Sequence, residues 1–230
     1  MTIKAVIFDL DGTLVKFNLD YKTVRAETKQ ILVKEGFPAS IFSFDESIFD
    51  MLKKGQVYMK NNGKKEEEFQ KVKETIFKLA ERYELDAART TELQPGVTEM
   101  LKLLKKMKLK LGLFTINCST ATNYILEQLG LKRFFDAVVT RDCVETVKPS
   151  PEHLKSVLEA LDVKPAETLV VGDGTSDMKS AHELKAIGIG VSIGVSTPQA
   201  LAQAGATCLI TSLTDLPALV PQLNKEINAD

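Results

Sequence analysis

The 230 residues suffice for one large domain, or for a core that carries an insert. The 30 basic and 31 acidic residues are mixed along the chain and leave a net charge of −1, which excludes the electrostatic footprint of a nucleic-acid or anionic-membrane binder. Cys118, Cys143 and Cys208 are too scattered for a disulfide framework or a metal knuckle, so reduced thiols are expected.

The first element is a strand over Ala5–Phe8, apolar throughout and therefore expected at the centre of a sheet. The stretch before and through it lacks a signal-peptide core. No apolar run approaches the roughly 18 residues of a membrane span, and a cytoplasmic protein is expected. Residues 16–93 read as strand-free, with helices over 20–35, 41–60 and 64–84. The breaks fall at Gly36–Phe37–Pro38 and Asn61–Asn62–Gly63. This block is expected to be an inserted all-helical domain between the pieces 1–15 and 94–230.

From Pro95–Gly96 onward, strands alternate with helices. Val97, Met100, Leu101, Leu104 and Met107 share one helical face, and a strand follows at 109–115. A helix over 120–129 closes at Gly130, and 136–140 is the next strand. Ser150–Pro151 opens a helix with Leu154, Val157, Leu158 and Leu161 on one side. A strand at 168–172, a helix at 175–186, a strand at 188–193, a helix from Thr197–Pro198 and a strand at 207–210 complete the series. The alternation predicts an α/β fold with a Rossmann-like parallel sheet sandwiched by helices.

The chemistry lies where strands end. Ligands of open parallel sheets bind at the carboxyl ends of strands. Asp9 and Asp11 follow the first strand, Thr115 and Asn117 the second, and Asp173 and Asp177 the fourth. Four clustered carboxylates repel one another unless a cation joins them, and an oxygen-only donor set suits Mg²⁺ better than zinc. Lys148, just before the helix at 150, reaches the same rim, while Gly12 and Gly174 allow close backbone approach. Lysine, a divalent ion, a hydroxyl and main-chain N–H groups together make a site for a multiply charged anion, with phosphate the leading candidate.

DLDGT, Thr115, Lys148–Pro149 and GDGTSD occur in this order. The set resembles the four motifs of the haloacid dehalogenase superfamily of phosphohydrolases, spanning residues 5–177. The helical insert is similar to the cap of phosphoglycolate phosphatase-like members. One departure is Gly174, where many relatives carry serine. The resemblance implies a Mg²⁺-dependent phosphatase acting on a small phosphorylated metabolite. Asp9 would be the nucleophile that forms an aspartyl-phosphate, and Asp11 the general acid and base. Mg²⁺ would be held by Asp9, Asp11 (through its backbone carbonyl), Asp173 and Asp177. Gly12, Thr115, Asn117 and Lys148 would bind the phosphate, with Thr115 and Lys148 assisting catalysis.

Three other readings are open. A phosphomutase would return the phosphoryl group to a sugar phosphate, although residues 16–93 offer no cap histidine to assist. Dehalogenase chemistry has no need of a leaving-group acid at Asp11. A phosphate- or partner-binding module would retain the site without turnover. Within the insert, Gly36–Ser40, Lys53, Lys54, Tyr58 and Lys60 are candidates to set specificity.

Overall fold

The computed structural model describes residues 2–63 and 65–227. In chain order, β1 (Ala5–Phe8) leads into three helices, α1 (Tyr21–Lys34), α2 (Ile48–Asn61) and α3 (Glu66–Ala88). Then follow α4 (Val97–Lys106), β2 (Lys110–Phe114), α5 (Ser119–Gln128) and β3 (Ala137–Val139). The chain continues with α6 (Pro151–Leu161), β4 (Thr168–Gly172), α7 (Thr175–Leu184), β5 (Ile187–Val191), α8 (Pro198–Gln203), β6 (Cys208–Ile210) and α9 (Leu216–Ile227). It divides into two compact units, Leu19–Arg89 and the remainder. Among the described residues no helix is long and apolar enough to cross a membrane.

The larger unit is built on a six-stranded parallel sheet in the order β3-β2-β1-β4-β5-β6. β1 pairs on both edges, Phe8 facing Leu113 and Val171 in register, so every one of its residues is buried. Connections run outward from β1 in one direction and then, after β3, return to β4 on its other side. This reversal opens a crevice at the carboxyl ends of β1 and β4. α6 and α7 cover one face, where Ile7, Phe114 and Val170 meet Leu154, Val157 and Ala181. A Cβ on Gly112 would lie 2.7 Å from Val157 Cγ1 and 3.0 Å from Leu161 Cδ1, so glycine lets α6 sit close to β2. The segments after β1 and before α4 are zipped together: Lys16 N–H donates to Glu92 O at 2.8 Å and Gln94 N–H to Leu14 O at 2.9 Å.

The smaller unit has its own core, including Leu32, Phe37, Met51, Phe69, Val72 and Ile76. Its second helix starts at Ile48, not at 41, because Ser47 and Asp50 form a reciprocal capping box; 39–41 is a single 3₁₀ turn. Its third helix runs on to Ala88, four residues beyond the expected end. Lys64, where that helix was expected to begin, lies outside the described residues. In the larger unit β5 stops at Val191 instead of 193, since Ser192 N–H turns to Ile210 O at 3.0 Å. Met107, placed on the apolar face of α4 by its spacing, caps that helix and is exposed.

Candidate active site

The crevice is lined by residues that the strand ends deliver. Asp9 extends the β1 ladder by one bond, donating its N–H to Val171 O at 2.9 Å. The chain then turns sharply, with Leu14 and Val15 N–H both bonded to Leu10 O and Gly12 at φ +80°. A Cβ on Gly12 would lie 2.4 Å from Asp173 Oδ2. Asp173 follows β4 directly, and Asp177 lies in the first turn of α7, where its carboxylate accepts from Gly174 N–H at 2.9 Å. Lys148 arrives from the loop before α6, which Ser150 caps and Pro151 begins.

Asp9, Asp173 and Asp177 are all buried, and each offers an oxygen within 4.8 Å of the other two. Lys148 Nζ lies 2.5 Å from Asp9 Oδ1 and 2.7 Å from Asp177 Oδ1, and it sits 4.4 Å from the centre of the Phe114 ring. Burial pushes Asp9 well above the ordinary carboxylate range, and the charges of Asp177 and Asp173 add to this against the pull of Lys148. Burial and then Asp177 raise Asp173, opposed by hydrogen bonds from Val195 N–H and Thr13. Burial alone would lower Lys148, but Asp177 and Asp9 outweigh it and hold the ammonium charged. When all three are ionised, the carboxylates around the one ammonium leave an excess of two negative charges. A hard divalent cation with oxygen ligands fits both that excess and the donor set.

The other expected residues sit on the same rim in a second group. Asn117 is buried and its Nδ2 donates to Asp11 Oδ2 through a short bond, while Asn117 N–H donates to Thr115 Oγ1 at 3.2 Å. Asp11 is half-buried, and its carboxylate is not one of the three clustered oxygen donors. Thr115 is buried at the end of β2, its N–H bonded to Val139 O at 3.1 Å. Of the insert residues considered for specificity, Lys54 is paired with Glu46, and Tyr58 packs on Phe37 at 5.8 Å.

Several further residues support the site. Thr13 Oγ1 donates to Asp173 Oδ1 at 2.8 Å and accepts from Asp173 N–H at 3.1 Å. Val195 N–H donates to Asp173 Oδ2 at 2.8 Å. Arg141 is buried and clamps the β2 loop, donating from Nη1 to Ile116 O and from its N–H to Asn117 O. His153 is fully buried behind Lys148. Its Nδ1 accepts from Lys148 N–H at 3.3 Å and its Nε2 meets Val139 O at 3.2 Å. Burial, then the Lys148 charge, lowers it from 6.5 to about 4 and keeps it neutral. Thr13 did stand in plain view in DLDGT. Val195 gives no such signal, because its contact is made by a main-chain N–H.

Residues 3–185 match the family model described as haloacid dehalogenase-like hydrolase. The chain is 34% identical over 185 residues to the pyrophosphatase PpaX of Bacillus mycoides, covering 77% of this chain and 78% of that protein. It is 29% identical over 180 residues to the PpaX of Halalkalibacterium halodurans, with the same coverage of both. Among solved structures, a hydrolase from Pseudomonas syringae superposes with a TM-score of 0.68 at 26% identity, over 96% of this chain and 99% of that one.

Proposed function

This chain belongs to the haloacid dehalogenase-like hydrolases and is a phosphatase of that family, and on that footing we propose that it uses Asp9 to cleave pyrophosphate or a small phosphate ester. The observation that carries the proposal is the meeting of Asp9, Asp173, Asp177 and Lys148 in one buried cluster at the switch point of the sheet. Asp9, Asp173 and Asp177 would hold Mg²⁺ by their side chains and Asp11 by its backbone carbonyl; the ion would neutralise charge between Asp9 and the arriving phosphoryl group.

An oxygen of Asp9 attacks phosphorus while the bond to the leaving group breaks, leaving the phosphoryl group on Asp9. Lys148 holds Asp9 in place and offers its positive charge to the phosphoryl oxygens. Asp11, steadied by Asn117, gives a proton to the leaving oxygen and then takes one from the water that releases phosphate. Thr115 and Asn117 lie beside this path and bind the phosphate.

Pyrophosphate is the first substrate to try, because the relatives at 29–34% identity carry the name pyrophosphatase. Its leaving group is a phosphate, which needs less protonation than an alkoxide. Phosphate release from pyrophosphate, phosphoglycolate and p-nitrophenyl phosphate, with Mg²⁺ or with EDTA, tests the proposal. Pyrophosphate should give the highest kcat/KM, and EDTA should silence all three. Preference for phosphoglycolate would reassign the substrate. No Mg²⁺-dependent release from any of them would remove the activity.

A further inference from the structure

Both oxygens of Asp173 are engaged before any ligand arrives. Thr13 Oγ1 donates to Oδ1 at 2.8 Å from the turn after β1. On the other side Val195 N–H donates to Oδ2 at 2.8 Å from the loop after β5. That loop reaches the carboxylate closely: a Cβ on Gly194 would fall 1.9 Å from Asp173 Oδ2 and 2.3 Å from its Cγ. Gly194 is not among the residues with positive φ. Its lack of a side chain is therefore demanded by Asp173 and not by the backbone. The loop side chains do little to place it, since Ile193 and Val195 are 39% and 60% exposed. Its two ends are fixed instead. Ser192 N–H bonds to Ile210 O at 3.0 Å, and Thr197 caps α8 by accepting from Ala200 N–H at 3.2 Å.

We propose that Gly194–Val195 is a positioning element for the cation site, a main-chain clamp from a third strand end that sets the rotamer of Asp173 for metal binding. The inference rests on the reading of Asp173 as a cation ligand. It adds β5 to the strands that build the site, and it explains how a buried carboxylate keeps one orientation beside two like charges. Each clamped oxygen still has a lone pair to offer, because each accepts only one hydrogen bond here.

Mg²⁺ binding to the purified protein, measured by calorimetric titration, tests the clamp without recourse to activity. Gly194→Ala and Val195→Pro, which removes the N–H, should each weaken binding about 10- to 100-fold. Val195→Ala keeps the N–H and should bind as wild type does, and so should Ile193→Ala. Melting temperatures in EDTA report folding separately. A loop with only a structural role would lower those temperatures in Gly194→Ala and Val195→Pro while leaving the Mg²⁺ affinity of the folded protein unchanged, and this would overturn the proposal. With p-nitrophenyl phosphate, the two disruptive variants should need more Mg²⁺ to reach full kcat, at unchanged KM for the ester. A wild-type protein that bound no Mg²⁺ would overturn the cation site and the clamp together. Normal wild-type binding with equal affinity in all four variants would overturn the clamp alone.

Discussion

Replacing Lys148 with methionine should cost the protein much of its stability in the absence of metal, and bound Mg²⁺ should restore part of it. The ammonium lies 2.5 Å from one Asp9 oxygen and 2.7 Å from one Asp177 oxygen, with its side chain 3% exposed. At an effective dielectric of about 20, two unit charges about 4 Å apart attract by about 4 kcal/mol, so two such partners together exceed the cost of burying one ammonium. Methionine fills the space but leaves three buried carboxylates without a counter-charge. Removing one partner of a buried pair costs about 3–5 kcal/mol. For a chain of this size that lowers the melting temperature by about 6–20 °C. The assay is urea unfolding in EDTA and again in excess Mg²⁺, at mildly alkaline pH so that proton uptake by Asp9 does not mask the loss. Adding Asp9→Asn to the methionine variant should recover stability, because one unbalanced charge disappears. A Lys148→Met protein as stable in EDTA as wild type would mean that the three carboxylates do not depend on the ammonium.

Asp9→Asn should abolish turnover of every substrate while the fold persists, as judged by circular dichroism, because an amide is a poor nucleophile. Asp11→Asn should slow hydrolysis of alkyl phosphates far more than formation of the phosphoryl enzyme from p-nitrophenyl phosphate, whose leaving group needs no proton; rapid-quench burst amplitudes separate the two steps. His153 is neutral when folded, with its pKa lowered to about 4. The unfolded chain therefore takes up a proton first as pH falls below about 6.5, and stability should drop by up to about 1.4 kcal/mol per pH unit between about 6.5 and about 4. Urea midpoints of His153→Gln should fall less steeply over that window. Gly112→Ala should destabilise by about 1–3 kcal/mol, because its methyl group meets Val157, Leu161 and Ile7 in a closed interface, and thermal unfolding would register the loss.

The elements that sequence reasoning found are those with a local cause. β1 is apolar at every position because it pairs on both edges, and the acids that end it have no place inside a strand. The helices α4 and α6 announced themselves by spacing and by a Pro or Gly at their starts. What escaped depends on distant partners. α9 carries Pro217 and Pro221, and its sequence discourages a helix; Pro217 stands where no intrahelical N–H is needed, and burial of Leu216, Val220 and Leu223 compensates for the bond lost at Pro221. The end of β5 is fixed by a bond from Ser192 to Ile210, eighteen residues on. The candidate site divides the same way. Asp9, Asp173 and Asp177 were legible as charges at strand ends, whereas the grip of Thr13 and Val195 on Asp173 exists only once β1, β4 and β5 lie side by side.

In the proposed reaction the phosphoryl group rests on Asp9 between two displacements. The stereochemical course at phosphorus tests it most directly. An aryl thiophosphate ester made chiral with oxygen isotopes is hydrolysed in labelled water, and the configuration of the released thiophosphate is determined. Two in-line displacements, first by Asp9 and then by water, predict net retention. Net inversion would mean that water attacks the substrate directly, and Asp9 would then be no nucleophile.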